Sequence, residues 1–319
     1  VKTISVCIIN YGTRDLLREC LRSVLIENPD EIIVVDNAST DDSVAMMKAE
    51  FPSIPLIALE KNVGFGAASN RGIKSCRSEH IFLLNADAMM RPGSLQALNR
   101  YLETHPHVSM IGPRVLNPDG TLQTSCFYYP TPPHVFLYIS GFYKLIPLLP
   151  ILKRWSLQKA VSKKAMAVPW VLGAALAFRR EAFEILGGFD ESFFLYFEEV
   201  DLCYRLFLQG KQIHFVPEAE VVHIGGASTA QKRTWFSIQF FRSLANFYRK
   251  HYSRLLLLEL VFMVKAVAFF KLAHDLILLP FIGNATKRSA MEEGLDIHRN
   301  LLSGRWHRRS NTGPAVPIW

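Results

Sequence analysis

A chain of 319 residues, half of them hydrophobic and a fifth charged, can build a packed core and is neither disordered nor fibrous. Its net charge of +8 favours an anionic partner such as phosphate groups or acidic lipid, and no nucleic-acid recognition motif accompanies that charge. Cys7, Cys20, Cys76, Cys126 and Cys203 are scattered with no Cys-x-x-Cys, which excludes a zinc site or disulfide framework and reads as reduced thiols in a cytosolic setting. No pattern recurs at a fixed period and no charged leader precedes the first apolar run, so neither a solenoid nor a signal peptide is expected.

Residues 4–9 predict a first strand that delivers Asn10, Tyr11 and Gly12 to the sheet edge. Residues 14–26 carry Leu17, Leu21 and Val24 on a helical stripe. Residues 32–35 form a second strand ending in Asp36-Asn37, and a polar loop over 38–43 can cap the next helix. A third strand over 55–59 precedes Asn62-Val63-Gly64-Phe65-Gly66 and a helix over 67–75. The fourth strand, Ile81-Phe82-Leu83-Leu84, is apolar on both faces and runs straight into Asn85 and Asp87; a helix over 94–104 follows. This alternation predicts an α/β fold with a parallel, doubly wound sheet and right-handed crossovers.

Each of these strands ends in polar residues, and ligands of such sheets bind just beyond the strands' carboxyl ends. In extended chain Asn85 and Asp87 project to one side. They offer oxygen ligands to a divalent cation or acceptors to a sugar, or they serve only as turn residues. Gly64-Phe65-Gly66 lacks the third glycine of a dinucleotide fingerprint, since Ser69 stands there, and it does not follow the first strand. A tight loop-to-helix junction explains these glycines better.

Residues 113–135, rich in Pro, Gly, Asn and Thr, read as a crossing between two halves. Residues 135–155 are apolar, but Pro147 and Pro150 argue against one spanning helix, leaving a lid, a membrane-touching flap or ordinary core. Another apolar stretch over 168–178 holds Gly173, where backbone can approach a ligand. Aromatic residues then precede Glu198, Glu199 and Asp201 at a helix start. The helix dipole favours acids there, and burial beside aromatics raises a carboxyl pKa towards that of a general base. Successive helical residues diverge by about 100°, so at most one of the two glutamates faces a substrate, and Glu198 shares its face with Asp201. Strands over 212–216 and 220–224 carry His223 into Gly225-Gly226-Ala227-Ser228, where the ring can approach a diphosphate or metal.

These pieces resemble the family 2 glycosyltransferases of GT-A fold, most closely the bacterial rhamnosyltransferase-like branch. The resemblance covers roughly residues 3–250 and rests on Val34-Val35-Asp36-Asn37-Ala38-Ser39, Asn62-Val63-Gly64-Phe65-Gly66, Leu84-Asn85-Ala86-Asp87, Tyr196-Phe197-Glu198-Glu199-Val200-Asp201-Leu202 and His223-Ile224-Gly225-Gly226-Ala227-Ser228. It implies a nucleotide-diphosphate sugar donor, with rhamnose on thymidine diphosphate the first expectation, and a glycan or lipid-linked acceptor. It implies that Asn10, Tyr11, Asp36 and Asn62 line the donor pocket, with Asn85 and Asp201 also at the substrate. Asp87 and His223 would hold Mg²⁺ or Mn²⁺, and Glu199, or Glu198, would deprotonate the acceptor in an inverting displacement. Asn85 stands where the family's metal motif opens with Asp, and Glu199 where its acidic pair usually ends in Asp. A catalytically silent nucleotide-sugar- or membrane-binding protein of the same fold is the alternative.

Residues 1–250 are expected to form the catalytic domain, with halves 1–115 and 116–250, and 251–319 a helical extension. Within it residues 255–283 are apolar, yet charges interrupt every run short of the roughly 18 residues of a spanning helix. Basic flanks favour attachment to the anionic inner face of the membrane over packing on the protein.

Overall fold

A computed structural model of the protein describes residues 2–140, 164–225 and 233–307. The chain opens with β1 (Ile4–Asn10), α1 (Arg14–Ile26), β2 (Glu31–Asp36), α2 (Ser43–Glu50), β3 (Leu56–Ala58), α3 (Phe65–Ser75) and β4 (His80–Asn85). It continues through β5 (Ala88–Met90), α4 (Ser94–Thr104), β6 (Val108–Leu116), β7 (Cys126–Phe127), α5 (Pro132–Ser140), β8 (Met166–Ala167), β9 (Trp170–Val171) and β10 (Ala175–Arg179). Then come α6 (Arg180–Ile185), α7 (Glu198–Leu208), β11 (Gln212–His223), α8 (Arg233–His251), α9 (Arg254–Leu278) and α10 (Ala285–Ser303). Of the apolar stretch 135–155, residues 141–155 lie outside the described residues.

The main sheet runs β3-β2-β1-β4-β10-β6-β11-β5, with β8 pairing β11. Strands β1 to β4 pair in parallel, as their alternation with helices predicts. The second half is mixed. Strand β10 inserts antiparallel between β4 and β6, β11 lies parallel to β6, and β5 is antiparallel to β11. An apolar run says that a strand is buried and says nothing of its direction, so the parallel reading extends only as far as the βα alternation does. Strand β6 contains Gly112 and Pro113 and runs into the stretch 113–135 that reads in sequence as a crossing. The glycine is required there, because a Cβ would stand 2.8 Å from the Val171 side chain. The two strands expected over 212–224 are one, β11, with an irregularity between Val216 and Glu220 beside Pro217, which has no N–H to give.

By its contacts the chain forms two compact units. One comprises residues 2–129, 164–194 and 198–225 and carries the sheet. Every residue of β1 is buried, as are Phe82, Leu83 and Leu84 of β4 and Leu176, Ala177 and Phe178 of β10. The five cysteines are buried and form no disulfide. Glu27, itself buried, caps α4 by accepting from Gly93 N and Leu95 N, both at 2.7 Å, which sets that helix against the sheet.

The other unit comprises residues 130–140, 195–197 and 233–307. Ser253 and Asn284 cap α9 and α10 through Leu256 N and Lys287 N. Leu260, Val264 and Ala268 of α9 are buried, as are Phe247 and Tyr248 of α8 and Leu295 and Leu301 of α10. The opposite face of α9 leaves Leu255, Leu258, Phe262, Phe269, Leu276 and Ile277 exposed. Among the described residues no helix is long and apolar enough to cross a membrane.

Candidate active site

The carboxyl ends of β1 and β2 lie in register, Asn10 beside Asp36. Asn10 Nδ2 donates to Asp36 Oδ2 at 2.8 Å and to Ser39 Oγ at 3.1 Å, while Asp36 Oδ1 takes Ser39 N at 2.8 Å. Thr13 Oγ1 donates to Asn10 Oδ1 at 2.7 Å. Asn10 and Asp36 are buried, so these carboxamide and carboxylate atoms brace the edge, and the adjoining Tyr11 is half-buried. Asn62 is reached through Asn37. Asn37 Nδ2 donates to Asn62 Oδ1 at 3.0 Å and Asn37 Oδ1 accepts from Val63 N at 2.9 Å, tying β2 to the turn before α3. Sequence reasoning placed Asn37 at the edge but gave this tie no role, because only the fold brings residue 62 beside it.

The junction at Gly64 is close. Its φ is +90° and a Cβ would fall 2.3 Å from Phe194 O, the carbonyl that also accepts from Phe65 N at 2.8 Å. These glycines thus dock the segment that leads to α7, in keeping with a tight junction and not with a dinucleotide loop. Asn70 of α3 completes the docking. Its Nδ2 donates to Phe189 O and its Oδ1 accepts from Phe189 N, each at 2.9 Å.

Strand β4 ends at Asn85, and the chain turns through Ala86 and Asp87 before β5, so the two side chains are separated by a turn and not by extended chain. Asn85 N donates to Ala174 O at 2.9 Å, whereas Asn85 Oδ1 is buried with no hydrogen-bond partner. Asp87 O accepts from Ile224 N at 3.0 Å, and this places the ends of the two carriers side by side: His223 Nε2 lies 3.3 Å from Asp87 Oδ1. Among the described residues no group of three or more His, Cys, Asp or Glu side chains gathers as a cage.

Helix α7 opens with Glu198, Glu199 and Asp201, all three buried. Glu198 packs on α3, where a Cβ on Gly66 would lie 3.4 Å from its own Cβ. Its Oε2 has no hydrogen-bond partner, and burial, with the neighbouring Glu199 charge second, pushes its carboxyl well above the usual carboxylate range. Glu199 turns instead to Gly173, where a Cβ would lie 3.3 Å from its Oε1. Gly173 adjoins Ala174, the partner of Asn85, so Glu199 and the Asn85 strand end share one neighbourhood. Asp201 is engaged with Arg205, whose Nε donates to its Oδ2 at 2.8 Å. Nothing in local sequence separates Glu198 from Glu199 in this way; the two glycines that do so are far away in the chain.

Comparisons with known proteins identify the family and the fold. The family model described as Glycosyl transferase family 2 matches residues 5–143, and that described as Glycosyl transferase family group 2 matches residues 153–287. The N-acetylglucosaminyl-diphospho-decaprenol L-rhamnosyltransferase of Mycobacterium tuberculosis is 30% identical over 224 residues, 66% of this chain and 71% of that protein. The rhamnosyltransferase WbbL of Escherichia coli is 23% identical over 251 residues, 74% of this chain and 87% of that protein. Among solved structures, the mannosyltransferase PcManGT of Pyrobaculum calidifontis, in complex with GDP-Man and Mn²⁺, superposes with a TM-score of 0.54 at 17% identity, covering 95% of this chain and 88% of that one. The fold is the GT-A glycosyltransferase fold. The chain belongs to glycosyltransferase family 2, on its rhamnosyltransferase-like side.

Proposed function

We propose that the protein moves a sugar from a nucleotide-diphosphate donor to a hydroxyl of a glycan or lipid-linked acceptor, with inversion at the anomeric carbon. The observation that carries this reading is Glu199: a carboxylate in the first turn of α7, against Gly173, at the Asn85 end of β4. In the reaction the acceptor oxygen attacks the anomeric carbon, Glu199 takes its proton, and the bond from that carbon to the diphosphate oxygen breaks on the opposite face. The nucleoside diphosphate leaves with the electron pair. Tyr11, over the framework of Asn10, Asp36 and Asn62, receives the nucleoside, and Asp201 holds α7 in place through Arg205.

The residues present fit a divalent cation at Asp87 and His223. Gln123 Oε1, which can only accept, faces His223 Nδ1 at 2.7 Å, so Nδ1 carries a hydrogen, and in the neutral ring the lone pair is then on Nε2, 3.3 Å from Asp87 Oδ1. Two lone pairs facing each other call for a proton or a cation between them. Two protein ligands with a substrate diphosphate are a usual set for Mg²⁺ or Mn²⁺. Bound there, the ion would stabilise the charge on the departing diphosphate.

Two relatives are named as rhamnosyltransferases, one of them with an N-acetylglucosaminyl-diphospho-decaprenol acceptor, so rhamnose and a polyprenyl-diphosphate-linked sugar are the substrates this reading assigns first. It places the catalytic domain at residues 1–250 and a membrane-attaching extension at 251–319. The exposed apolar face of α9, flanked by the exposed Lys250, Arg254, Lys287 and Arg288, supports attachment to an anionic inner leaflet. Glu199→Gln tests the reading: turnover is expected to fall by about 10²–10⁴, with donor binding retained. Unchanged turnover would overturn the assignment of the base.

A further inference from the structure

The turn Asn117-Pro118-Asp119-Gly120-Thr121, between β6 and β7, looks like a plain connection in sequence. In the structure it begins a chain of hydrogen bonds whose direction is fixed at every step. Asp119 Oδ1, a carboxylate oxygen, accepts from Thr121 Oγ1 at 2.6 Å and from Thr121 N at 2.9 Å. The Thr121 hydroxyl hydrogen is thereby spent, so Thr121 Oγ1 accepts from Asn117 Nδ2 at 2.9 Å. That orients the Asn117 amide, and its Oδ1 accepts from Gln123 Nε2 at 2.9 Å. The same Gln123 nitrogen gives its other hydrogen to His223 O at 3.1 Å. Both hydrogens are used on oxygen atoms, so Gln123 Oε1 is the atom that meets His223 Nδ1 at 2.7 Å.

We propose that Gln123 is a positioning residue for the metal half-site, and that the relay Asp119–Thr121–Asn117–Gln123 holds His223 in the Nδ1–H tautomer with its Nε2 lone pair aimed at the position shared with Asp87. Gly225 belongs to the same device. With φ at +67° it turns the chain directly after His223, and a side chain there would meet the imidazole Cε1 at 3.4 Å and Gln123 Nε2 at 3.8 Å. The relay acts on orientation: it removes the alternative in which Nε2 carries the hydrogen and opposes a cation. Outer partners of this kind typically change metal affinity by about 10- to 100-fold. The inference rests on the assignment of His223 and Asp87 as cation ligands.

The test uses the full chain with Mn²⁺ and a nucleoside diphosphate, following Mn²⁺ affinity by titration, and long-range ¹H–¹⁵N spectra to read the His223 tautomer without metal. The native chain is expected to show hydrogen on Nδ1. Gln123→Leu is expected to populate the Nε2–H form and weaken Mn²⁺ binding about 10- to 100-fold. Thr121→Val, at an exposed position that endangers no core, should move both readouts the same way by a smaller amount. A native chain whose neutral imidazole carries its hydrogen on Nε2 and not on Nδ1, or a Gln123→Leu protein that binds Mn²⁺ normally while His223→Ala does not, overturns the proposal. If His223→Ala and Asp87→Ala both leave Mn²⁺ affinity intact, the cation assignment falls and the proposal with it; that result differs from a failure of Gln123 alone.

Discussion

Glu198 and Glu199 are adjacent in the chain and differ in what receives them: α3 and Gly66 for one, Gly173 for the other. Because the buried Glu198 carboxyl sits above its ordinary range, the folded chain holds that proton more tightly than the unfolded chain does. Stability from it is complete below the unfolded value of about 4.3 and is lost as pH rises through the folded value. Glu198→Gln keeps the shape and removes the charge. It should leave Tm unchanged at and below about pH 4 and raise it above the native chain's at neutral pH, as calorimetry across that range would show. A Tm difference independent of pH would contradict this account. Gly173→Ala would crowd Glu199 Oε1 and is expected to cost about 10- to 100-fold in turnover at unchanged Tm, since small misplacements of a base are expensive. That a buried acidic pair opens a helix among aromatics was legible in sequence. Which neighbour receives each acid was not, because Gly66 and Gly173 decide it from more than a hundred and from about twenty-five residues away.

Helix α7 is held by contacts that reach back over the segment before it. Arg205, fixed by Asp201, donates from Nη1 to Leu186 O at 2.9 Å and from Nη2 to Gly188 O at 2.8 Å, while Asn70 grips Phe189 from α3. Asp201 is fully buried, so Asp201→Asn strips one partner from a buried ion pair and should destabilise the fold by about 3 kcal/mol, measurable by denaturant titration. A loss below about 0.5 kcal/mol, the range of ordinary surface substitutions, would show that Arg205 holds the segment unaided. Helices α1 and α4 were readable to the residue from their apolar stripes, and β1, β2 and β4 from uninterrupted apolar runs. The two-residue strands β7, β8 and β9 carry no such signal, and Gly112-Pro113 hides β6. Short strands are defined by their neighbours, which a linear pattern does not contain.

The second unit presents Leu255, Leu258, Phe262, Phe269 and Leu276, spaced along one face of α9, to solvent. If that face meets a bilayer, Phe262→Asp with Phe269→Asp should abolish cosedimentation with vesicles containing anionic lipid while thermal stability is unchanged, and binding by the native chain should weaken as salt rises. Cosedimentation unaffected by the double substitution would remove α9 from the attachment. In the other unit, the antiparallel insertion of β10 has a consequence for how the protein is made. Strand β4 pairs β1 on one side and needs β10, some ninety residues later, on the other. During synthesis every apolar residue of β4 therefore waits with an open edge until the ribosome has delivered residue 179, and an open apolar edge invites pairing with other nascent chains. Chains stopped before β10 should be recovered mainly as aggregate, and chains extended through β11 as soluble protein; equal solubility of the two would show that β1 to β4 need no later strand to protect them.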